Sequence, residues 1–534
     1  MNDRPFAVAR NLFEAMHSLR QEWTPITIWI DAICINQDDM EERSHQVGMM
    51  RDIYQKASRI IVWLGPKSTY SDKAMVLLHE LNIDSITEQM AFAKVHGPTN
   101  NIFSLRKFVV PRPIAAAVRD ESLPAPYDNE SWEGIAELFH REWFSRMWTL
   151  QEIVLANDAV FMCGDKEIAL WELNNAASLI NIHNAKPHTT DKKDTVRLEL
   201  SGYRVIIDIL MTRDDYIKTG KLELMGLLTD CWNRKSSDPR DRIYGLLGLV
   251  EELSISINYQ SPVIDVYRAF AEVVITSYKS LNILRMKHYP SVEGLPSWVP
   301  DWSTVSKQNP PSRAGLYHGA ANSKAKQFFG KSGSLTAQGI AVDAIEFIGA
   351  EASITEIPIY GGFHLDWEYM VHGIGDLNGS FDTEVLKVMR SRPYISGGSK
   401  LEAFARTLVA DRWSDQRWSQ NASVAVIRDL WEIKHALIQP EVEHRKRAEV
   451  LSAQFEDDIA RFDISLLQEC RHRRLFITVQ GYMGLAPPTA REGDLVCVLL
   501  GGDVPFILRP SNSNYSLIGE SYGTFSNQLN SHLC

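Results

Sequence analysis

The chain has 534 residues, 45% of them hydrophobic, and 56 Lys and Arg residues stand against 67 Asp and Glu residues, giving a formal net charge of −11. This length exceeds what one hydrophobic core usually holds, so two or three domains are expected. The negative charge disfavours a nucleic-acid partner bound by bulk electrostatics. No apolar run approaches the roughly 18 residues that span a bilayer. The six cysteines lack C-x-x-C spacing, which predicts free thiols in a reducing compartment and no metal site.

The N-terminal part predicts alternating helices and strands. Pro5 to Glu22 has apolar residues at helical spacing, which is typical of an amphipathic helix. Ile26 to Gln37, ITIWIDAICINQ, is a continuous apolar run that ends in polar residues, a pattern that predicts a parallel strand covered on both faces. A helix beginning at Asp38, a strand at Ile60 to Leu64 and a helix at Ser71 to Leu81 follow. This βαβα order predicts an α/β domain with a parallel sheet.

The rest of the chain predicts further regions. Residues 83–130 gather prolines and indicate an irregular insertion, and residues 159–170 predict a hairpin around Gly164-Asp165. Helical patterns dominate residues 383–470, whereas strands are predicted at 335–348 and, as a small antiparallel unit, at 475–520. We therefore predict an α/β domain at 1–250, a mixed and mainly helical region at 251–470, and a small β unit at 471–534.

Polar residues at the end of the first predicted strand form the first candidate site. In open α/β sheets, ligands bind at the carboxyl ends of strands, where Asp31, Cys34 and Asn36 are expected to lie. The alternative is that Asp31 and Asn36 only cap and turn the chain between strand and helix. Cys34 is expected to be inert, because His45 would have to point back over the start of its own helix to act as its base.

The second candidate site is the segment from Glu142 to Glu152, EWFSRMWTLQE, which combines aromatic residues, an arginine and a carboxylate within one or two helical turns. A glutamate beside Trp148 and Arg146 is suited to stabilise an oxocarbenium-like centre or to hold ribose hydroxyls. The alternative is structural: a buried pair of Arg146 and Glu152 would fix a helix to the sheet. Both interpretations stay open at this point.

A third polar cluster lies on a predicted turn at residues 238–242 and contains Asp238, Arg240, Asp241 and Arg242. We expect these residues to cap a helix and to form surface ion pairs of small energy. Gly330-Lys331-Ser332 does not complete a phosphate-binding loop, because Ala325 stands where that motif needs glycine.

Three blocks, in chain order, resemble the fungal heterokaryon incompatibility (HET) domain family. They are WIDAICINQDDMEERSHQVGMMRDIYQKASRIIVWLGP, REWFSRMWTLQEIVLA and SSDPRDRIYGLLGL. The later LPSWVPDWS and RRLFITVQGYMGLAPPTAREGDLVCVLLGGDVPFILRP resemble the C-terminal region of long family members. The resemblance implies a cytoplasmic fungal protein linked to non-self recognition and to the programmed cell death that follows fusion of incompatible hyphae.

HET domains are in turn remotely similar to Toll/interleukin-1 receptor (TIR) domains, which are flavodoxin-like α/β modules. Some TIR domains cleave NAD with a catalytic glutamate on a helix. The resemblance therefore implies that Glu152 is catalytic and holds the nicotinamide ribose, that Trp148 packs on a ring, and that Asp31 and Asn36 line the crevice. With Arg146, these residues form the predicted NAD-binding set. NAD would be a substrate, and no cofactor or metal is implied.

The sequence departs from the family pattern at its N-terminus. Family members usually begin with a strand bearing a pattern like Leu-Ser-Tyr-x-Trp-Gly, whereas this chain starts at the helix, so the parallel sheet is expected to lack its first strand. Three functions stay open: an NAD-consuming effector, a non-enzymatic signalling or scaffold module that acts by assembly, and a truncated inactive copy. Protein partners or self-association are expected, with no nucleic acid and no membrane span.

Overall fold

A computed structural model describes residues 7–20, 23, 25–96, 129–183, 201–251, 253–287, 292–303, 320, 323–330, 333–352, 393–410, 412–413, 416–417 and 469–523. The chain divides into two compact units. The first comprises Met1–Leu227, Asn233–Glu252 and Ser256–Ser261, and the second comprises Leu228–Trp232, Leu253–Ile255 and Pro262–Cys534. Within the described ranges, no helix combines the length and the apolar character needed to cross a membrane.

The first unit is mostly helical and contains a three-stranded sheet. Its helices are α1 (Arg10–Leu19), α2 (Asp31–Cys34), α3 (Met40–Gly48), α4 (Met50–Lys56), α5 (Ser71–His96), α6 (Asn129–Phe139), α7 (Glu142–Ser145), α8 (Thr149–Val154), α9 (Leu170–His183), α10 (Ser201–Thr219), α11 (Leu224–Asp230, whose last residues belong to the second unit) and α12 (Asp241–Leu247). Its strands are β1 (Ile60–Trp63), β2 (Ala159–Cys163) and β3 (Lys166–Ala169).

The sheet of the first unit confirms the predicted strand at 60–64 and the predicted hairpin at 159–170. β1 pairs with β2 in parallel, and β2 pairs with β3 in the antiparallel direction. Because Cys163 pairs with Lys166, the hairpin turn is Gly164-Asp165, and Gly164 has a φ of 61°, which glycine adopts without steric cost. Val62, Phe161 and Ile168 are buried, so each strand contributes to the core of this unit.

The segment Ile26–Gln37 is not the predicted strand. Residues 25–30 belong to no strand, and the amide of Cys34 in α2 donates to the Ile30 carbonyl oxygen at 2.8 Å, so the hydrogen bonds are local. Ile26 is 47% exposed, which shows that the apolar run is not covered on both faces. A short apolar run alone does not distinguish a strand from other structures. The parallel partner of β1 is instead β2, far along the chain.

The expected irregular insertion at 83–130 is wrong for its first part. α5 continues to His96, more than a turn beyond the predicted end at Leu81 and through the start of the expected insertion. Residues 97–128 lie outside the described residues. The same holds for most of the helical pattern predicted at 383–470, of which the structure describes one helix, at Lys400–Leu408.

The second unit combines two further α-helices with mainly antiparallel strands. Its helices are α13 (Val263–Tyr278) and α14 (Lys400–Leu408), with a short 3-10 helix at Asn282–Met286. Its strands are β4 (Gln327–Phe329), β5 (Leu335–Ala337), β6 (Gly339–Glu351), β7 (Arg412–Trp413), β8 (Gln416–Arg417), β9 (Arg474–Thr478), β10 (Met483–Ala486), β11 (Leu495–Leu499), β12 (Phe506–Ser511), β13 (Asn514–Glu520) and β14 (Tyr522–Gly523).

Seven of these strands form one sheet in the order β13-β12-β11-β6-β9-β10-β14. The two outer strands, β13 and β14, are separated along the chain by Ser521 alone, so one continuous segment completes both edges and closes the sheet on itself. Buried apolar side chains, among them Phe476, Val496 and Ile507, form its core. The strands predicted in the tail and at 335–348 are confirmed, whereas the domain boundaries and the flavodoxin- or TIR-like fold stay predictions.

Candidate functional site

One cleft in the first unit collects residues from all three of the sequence blocks. Its volume is about 490 Å³, within the range of about 300–1,000 Å³ that is usual for small-molecule sites. Its walls come from α2 and the turn after it, from α3 and α4, from the segment 142–148, from the segment 235–241 and from Tyr259. Segments that are far apart in the sequence therefore meet in one concave site.

The turn after α2 is shaped by a helix cap. Asp39, rather than the predicted Asp38, caps α3, and its carboxylate accepts hydrogen bonds from the amides of Glu41 and Glu42 at 3.0 and 3.1 Å. The Glu42 carboxylate reaches back to the amide of Asn36 at 3.0 Å. These three bonds hold the turn that brings Gln37 into the wall of the cleft.

Backbone pairing joins the second block to Lys235, the residue directly before the third block. The Lys235 amide donates to the Ser145 carbonyl oxygen at 2.7 Å, and the Met147 amide donates to the Lys235 carbonyl oxygen at 2.8 Å. The buried guanidinium of Arg234 adds a hydrogen bond to the Arg146 carbonyl oxygen at 3.0 Å. The positions of Arg146 and Lys235 relative to each other are therefore set by the main chain.

A buried polar cluster lies at the wall formed by the third block. The Asp241 carboxylate accepts hydrogen bonds from the hydroxyl of Tyr259 and from the side chain of Trp148. Arg43 lies 3.8 Å from this carboxylate, and its guanidinium stacks 3.8 Å from the centre of the Tyr259 ring. Burial raises the pKa of Asp241, although these hydrogen bonds oppose the shift. Burial beside Asp241 also raises the pKa of Tyr259.

The expectation of weak surface ion pairs at residues 238–242 is wrong. The Arg240 guanidinium donates two hydrogen bonds of 2.9 Å to the Asp238 carboxylate and a third, also of 2.9 Å, to the Ser261 carbonyl oxygen. Burial alone would raise the pKa of Asp238, but the bonds from Arg240 outweigh it and the pKa is lowered. Asp241 is only 6% exposed. Local spacing did not show this burial, because Ser261 and Tyr259, which bind Arg240 and Asp241, lie about twenty residues later.

The cleft brings together three of the five predicted site residues. Asp31, Arg146 and Trp148 line it, with Asp31 and Arg146 exposed. Asn36 does not line it, and its side-chain oxygen accepts from the Asp38 amide at 3.3 Å, which is a turn-forming role. Glu152 is also absent from the described lining of the cleft.

Glu152 lies beside the cleft residues and is half-buried. Its Oε2 accepts a hydrogen bond from the Trp143 indole at 3.0 Å. Among the described residues, the Glu152 side chain has no other hydrogen bond. Burial raises the pKa of Glu152, while the charge of Arg146 and the Trp143 bond oppose the shift and the charge of Asp31 adds to it. The alternative of a buried ion pair does not describe this geometry, because Arg146 is exposed.

Tyr54 is a site residue that the sequence interpretation missed. Tyr54 lines the cleft. Its helical spacing with Val47 and Met50 predicted only that all three residues face the core. Burial raises the pKa of Tyr54 well above the ordinary value, the charges of Glu152 and Asp31 raise it further, and Arg146 opposes them. Tyr54 is therefore close enough to Glu152 and to the cleft residues Asp31 and Arg146 for their charges to affect its pKa.

Lys235 was missed for a different reason. It precedes the third block directly, but a single exposed lysine carries no signal of its own in a sequence. Its place in the cleft depends on the pairing with residues 145–147, which are ninety residues earlier. Within the described ranges, no group of three or more His, Cys, Asp or Glu side chains is arranged to hold a metal ion.

Comparison with known proteins adds three similarities. The family model described as "Heterokaryon incompatibility protein (HET)" matches residues 1–152, and the one described as "Het-6 beta-barrel domain" matches residues 412–527. The chain is also 26% identical, over 576 aligned positions, to "Heterokaryon incompatibility protein 6, OR allele" of Neurospora crassa, covering 94% of this chain and 81% of that protein. No solved structure matches the chain. The first match contains the cleft residues up to Trp148, and the second contains most of the closed sheet.

Proposed function

Because this chain belongs to the heterokaryon incompatibility (HET) domain family, we propose that it acts in fungal non-self recognition and that its cleft binds and cleaves NAD. The observation that carries the proposal is the composition of the cleft. Three aromatic residues, Tyr54, Trp148 and Tyr259, line it together with cations and carboxylates. NAD has flat rings that stack on aromatic side chains, ribose hydroxyls that bind carboxylates, and a pyrophosphate that binds cations.

The proposed reaction is hydrolysis of the nicotinamide bond. The bond between ribose C1′ and the nicotinamide nitrogen breaks, a water oxygen takes its place, and the products are nicotinamide, ADP-ribose and a proton. Glu152 is our proposed catalytic residue. It does not line the cleft itself, but its carboxylate interacts with the charges of Arg146 and Asp31, which do, and the Trp143 indole orients Oε2 and leaves Oε1 without a hydrogen bond among the described residues. Asp31 is the second carboxylate; it lines the cleft, and its charge, like that of Glu152, raises the pKa of Tyr54.

The proposal includes a fold and an outcome. The parallel pair of β1 and β2, flanked by helices, supports a TIR-like α/β arrangement for the first unit. Consumption of NAD removes a redox carrier that every living cell needs, and we propose this loss as the cause of programmed cell death when the protein is triggered.

The test uses the purified full-length chain incubated with NAD, with chromatographic measurement of nicotinamide. We expect release by the wild type and a loss of about 100-fold or more for Glu152→Gln, the usual contribution of a positioned catalytic group. Glu133→Gln, an exposed glutamate on α6 outside the cleft, is the matched control and should keep full activity. No release by the wild type, or equal release by Glu152→Gln, contradicts the proposal.

A second candidate function is a signalling module that acts by assembly. Two large apolar side chains near the start of the first unit are exposed and available for association: Phe13 on α1 is 62% exposed and Trp23 is 87% exposed. This function predicts concentration-dependent oligomers in light scattering, and toxicity on expression in a fungal host that survives Glu152→Gln. A monomer at all concentrations would count against it.

A further inference from the structure

Two cations lie side by side in the cleft. Arg146 and Lys235 pair in a parallel bridge, with main-chain hydrogen bonds on both sides of it. Segments paired in this way run about 4.8 Å apart, so the two side chains leave the backbone from neighbouring points. Both side chains line the cleft and both residues are exposed.

These two cations differ from the third cation of the cleft. Arg43 is engaged by Asp238 at 3.4 Å, by Asp241 and by the Tyr259 ring. In the part of the chain that the structure describes, neither Arg146 nor Lys235 makes a side-chain hydrogen bond or an ion pair. Arg146 interacts with the charge of Glu152 without forming an ion pair. Adjacent like charges repel each other, and a bound anion relieves that repulsion.

The residues after Lys235 supply uncharged donors. Ser236 and Ser237 line the same part of the cleft, and no hydrogen bond of either hydroxyl is found within the described ranges. The Ser145 hydroxyl, by contrast, already donates to the Glu142 carbonyl oxygen at 2.9 Å. A guanidinium fork, an ammonium and two hydroxyls form a donor set that suits the several oxygens of a phosphate.

We propose that Arg146, Lys235, Ser236 and Ser237 form a phosphate-binding subsite that takes the pyrophosphate of a dinucleotide. The inference rests on the proposed function for the identity of the dinucleotide. It divides the cleft into two parts. The cation pair binds the phosphates, whereas the carboxylates, Asp31 and Glu142 among them, bind the hydroxyls of the ligand. The subsite makes the protein select ligands that carry phosphate over the corresponding nucleosides.

The test is calorimetric titration of the full-length protein with ADP-ribose and with adenosine, two ligands that contain no nicotinamide bond to cleave. We expect ADP-ribose to bind at least tenfold more tightly than adenosine. Arg146→Gln and Lys235→Gln should each weaken ADP-ribose binding by about tenfold or more and leave adenosine binding unchanged, since a charge-assisted hydrogen bond is lost. Ser237→Asp should weaken it similarly, because the new carboxylate competes with phosphate for the cations.

Lys221→Gln is the matched control, because Lys221 is an exposed lysine of the same unit that pairs with Glu251 and does not line the cleft. Its affinity for both ligands should equal that of the wild type. Inorganic pyrophosphate should compete with ADP-ribose in the wild type and not in Arg146→Gln. The inference is overturned if ADP-ribose does not bind, or if the charge variants bind it as the wild type does. Because no turnover is measured, a protein that binds as expected but releases no nicotinamide contradicts the cleavage alone.

Discussion

Each unit buries a carboxylate, and the surroundings of the two carboxylates differ. In the second unit, Glu520 at the end of β13 lies between two arginines: Arg285 Nε is 2.8 Å from Oε2, and Arg473 binds Oε1. In the first unit, the Asp241 carboxylate lies 3.8 Å from the Arg43 guanidinium, and its hydrogen bonds come from the uncharged side chains of Tyr259 and Trp148. One carboxylate is thus enclosed by cations in a closed sheet, and the other borders an open cleft.

The difference appears in the pKa of each group. Burial alone would raise the pKa of Glu520, but the charges of Arg285 and Arg473 outweigh it and lower the pKa. For Asp241, burial dominates and the pKa is raised. The two arginines therefore more than offset the burial of the Glu520 carboxylate, whereas the partners of Asp241 do not offset its burial. Charge that the protein does not fully offset is expected at functional sites, because such sites depart from the rules that maximise stability.

The largest effect that separates the two units is expected for Glu520→Gln. The amide removes the charge that pairs with the buried Arg285 and the half-buried Arg473, and breaking a buried ion pair in this way costs about 3–5 kcal/mol. Hydrogen-exchange mass spectrometry of peptides from residues 474–523 should show the loss as faster exchange of the closed sheet. Asp265→Asn is the control, because the exposed Asp265–Arg268 pair on α13 is worth about 0–1 kcal/mol.

The same variant has a defined pH dependence. Glu520 has a folded-state pKa below its ordinary value of 4.5, so its contribution is complete above that value and is lost as the pH falls through the lowered pKa. The difference in exchange between wild type and Glu520→Gln should therefore be constant near neutral pH and should shrink in acid. A difference that grows on acidification would contradict the pairing.

A second, smaller contrast uses one substitution in both units. Gly484 in β10 faces Phe476 on one side and the β14 segment on the other, and a Cβ there would clash with the Phe476 ring and the Tyr522 carbonyl oxygen. Gly484→Ala should cost about 1–3 kcal/mol by overpacking the point where the sheet closes. Gly48 at the end of α3 has no atom within 4 Å of its Cβ position, so Gly48→Ala should stabilise by up to about 1 kcal/mol. Thermal unfolding of the two variants measures both changes in stability, and equal shifts in the unfolding temperature would contradict the contrast.

Local features of the fold could be predicted from the sequence. A short apolar run predicted β1, and apolar segments on both sides of a Gly-Asp turn predicted the hairpin of β2 and β3, which neighbouring residues determine. The pattern of Ile26–Gln37 was not sufficient, since a short apolar run fits several local structures and only its surroundings decide between them. Similarly, the strand β6 pairs with β9 and β11, which lie more than a hundred residues later.

The candidate site was predictable in its blocks and not in its pairings. The three blocks do converge on one cleft, and Asp31, Arg146 and Trp148 line it. The burial of Asp241 could not be foreseen, because it depends on Tyr259, whose amide is in turn bound by Ser44, over two hundred residues earlier. Tyr54 was hidden by its helical spacing, which is the same for a core residue and for the wall of a cleft.

The smallest effect is expected for Asp241→Asn, the counterpart of Glu520→Gln in the first unit. The folded-state pKa of Asp241 is raised above its ordinary value of 3.8, so the folded protein binds more protons than the unfolded chain between the two values, and stability falls as the pH rises through that window. The amide removes this penalty but accepts weaker hydrogen bonds from Tyr259 and Trp148, so the net change at neutral pH should be within about 1 kcal/mol. Exchange of peptides from residues 241–247 should show little change near pH 7, and the decline between acidic and neutral pH should disappear in the variant. A loss as large as that of Glu520→Gln would mean that Arg43 compensates Asp241 as fully as two arginines compensate Glu520, and the contrast between cleft and closed sheet would then fail.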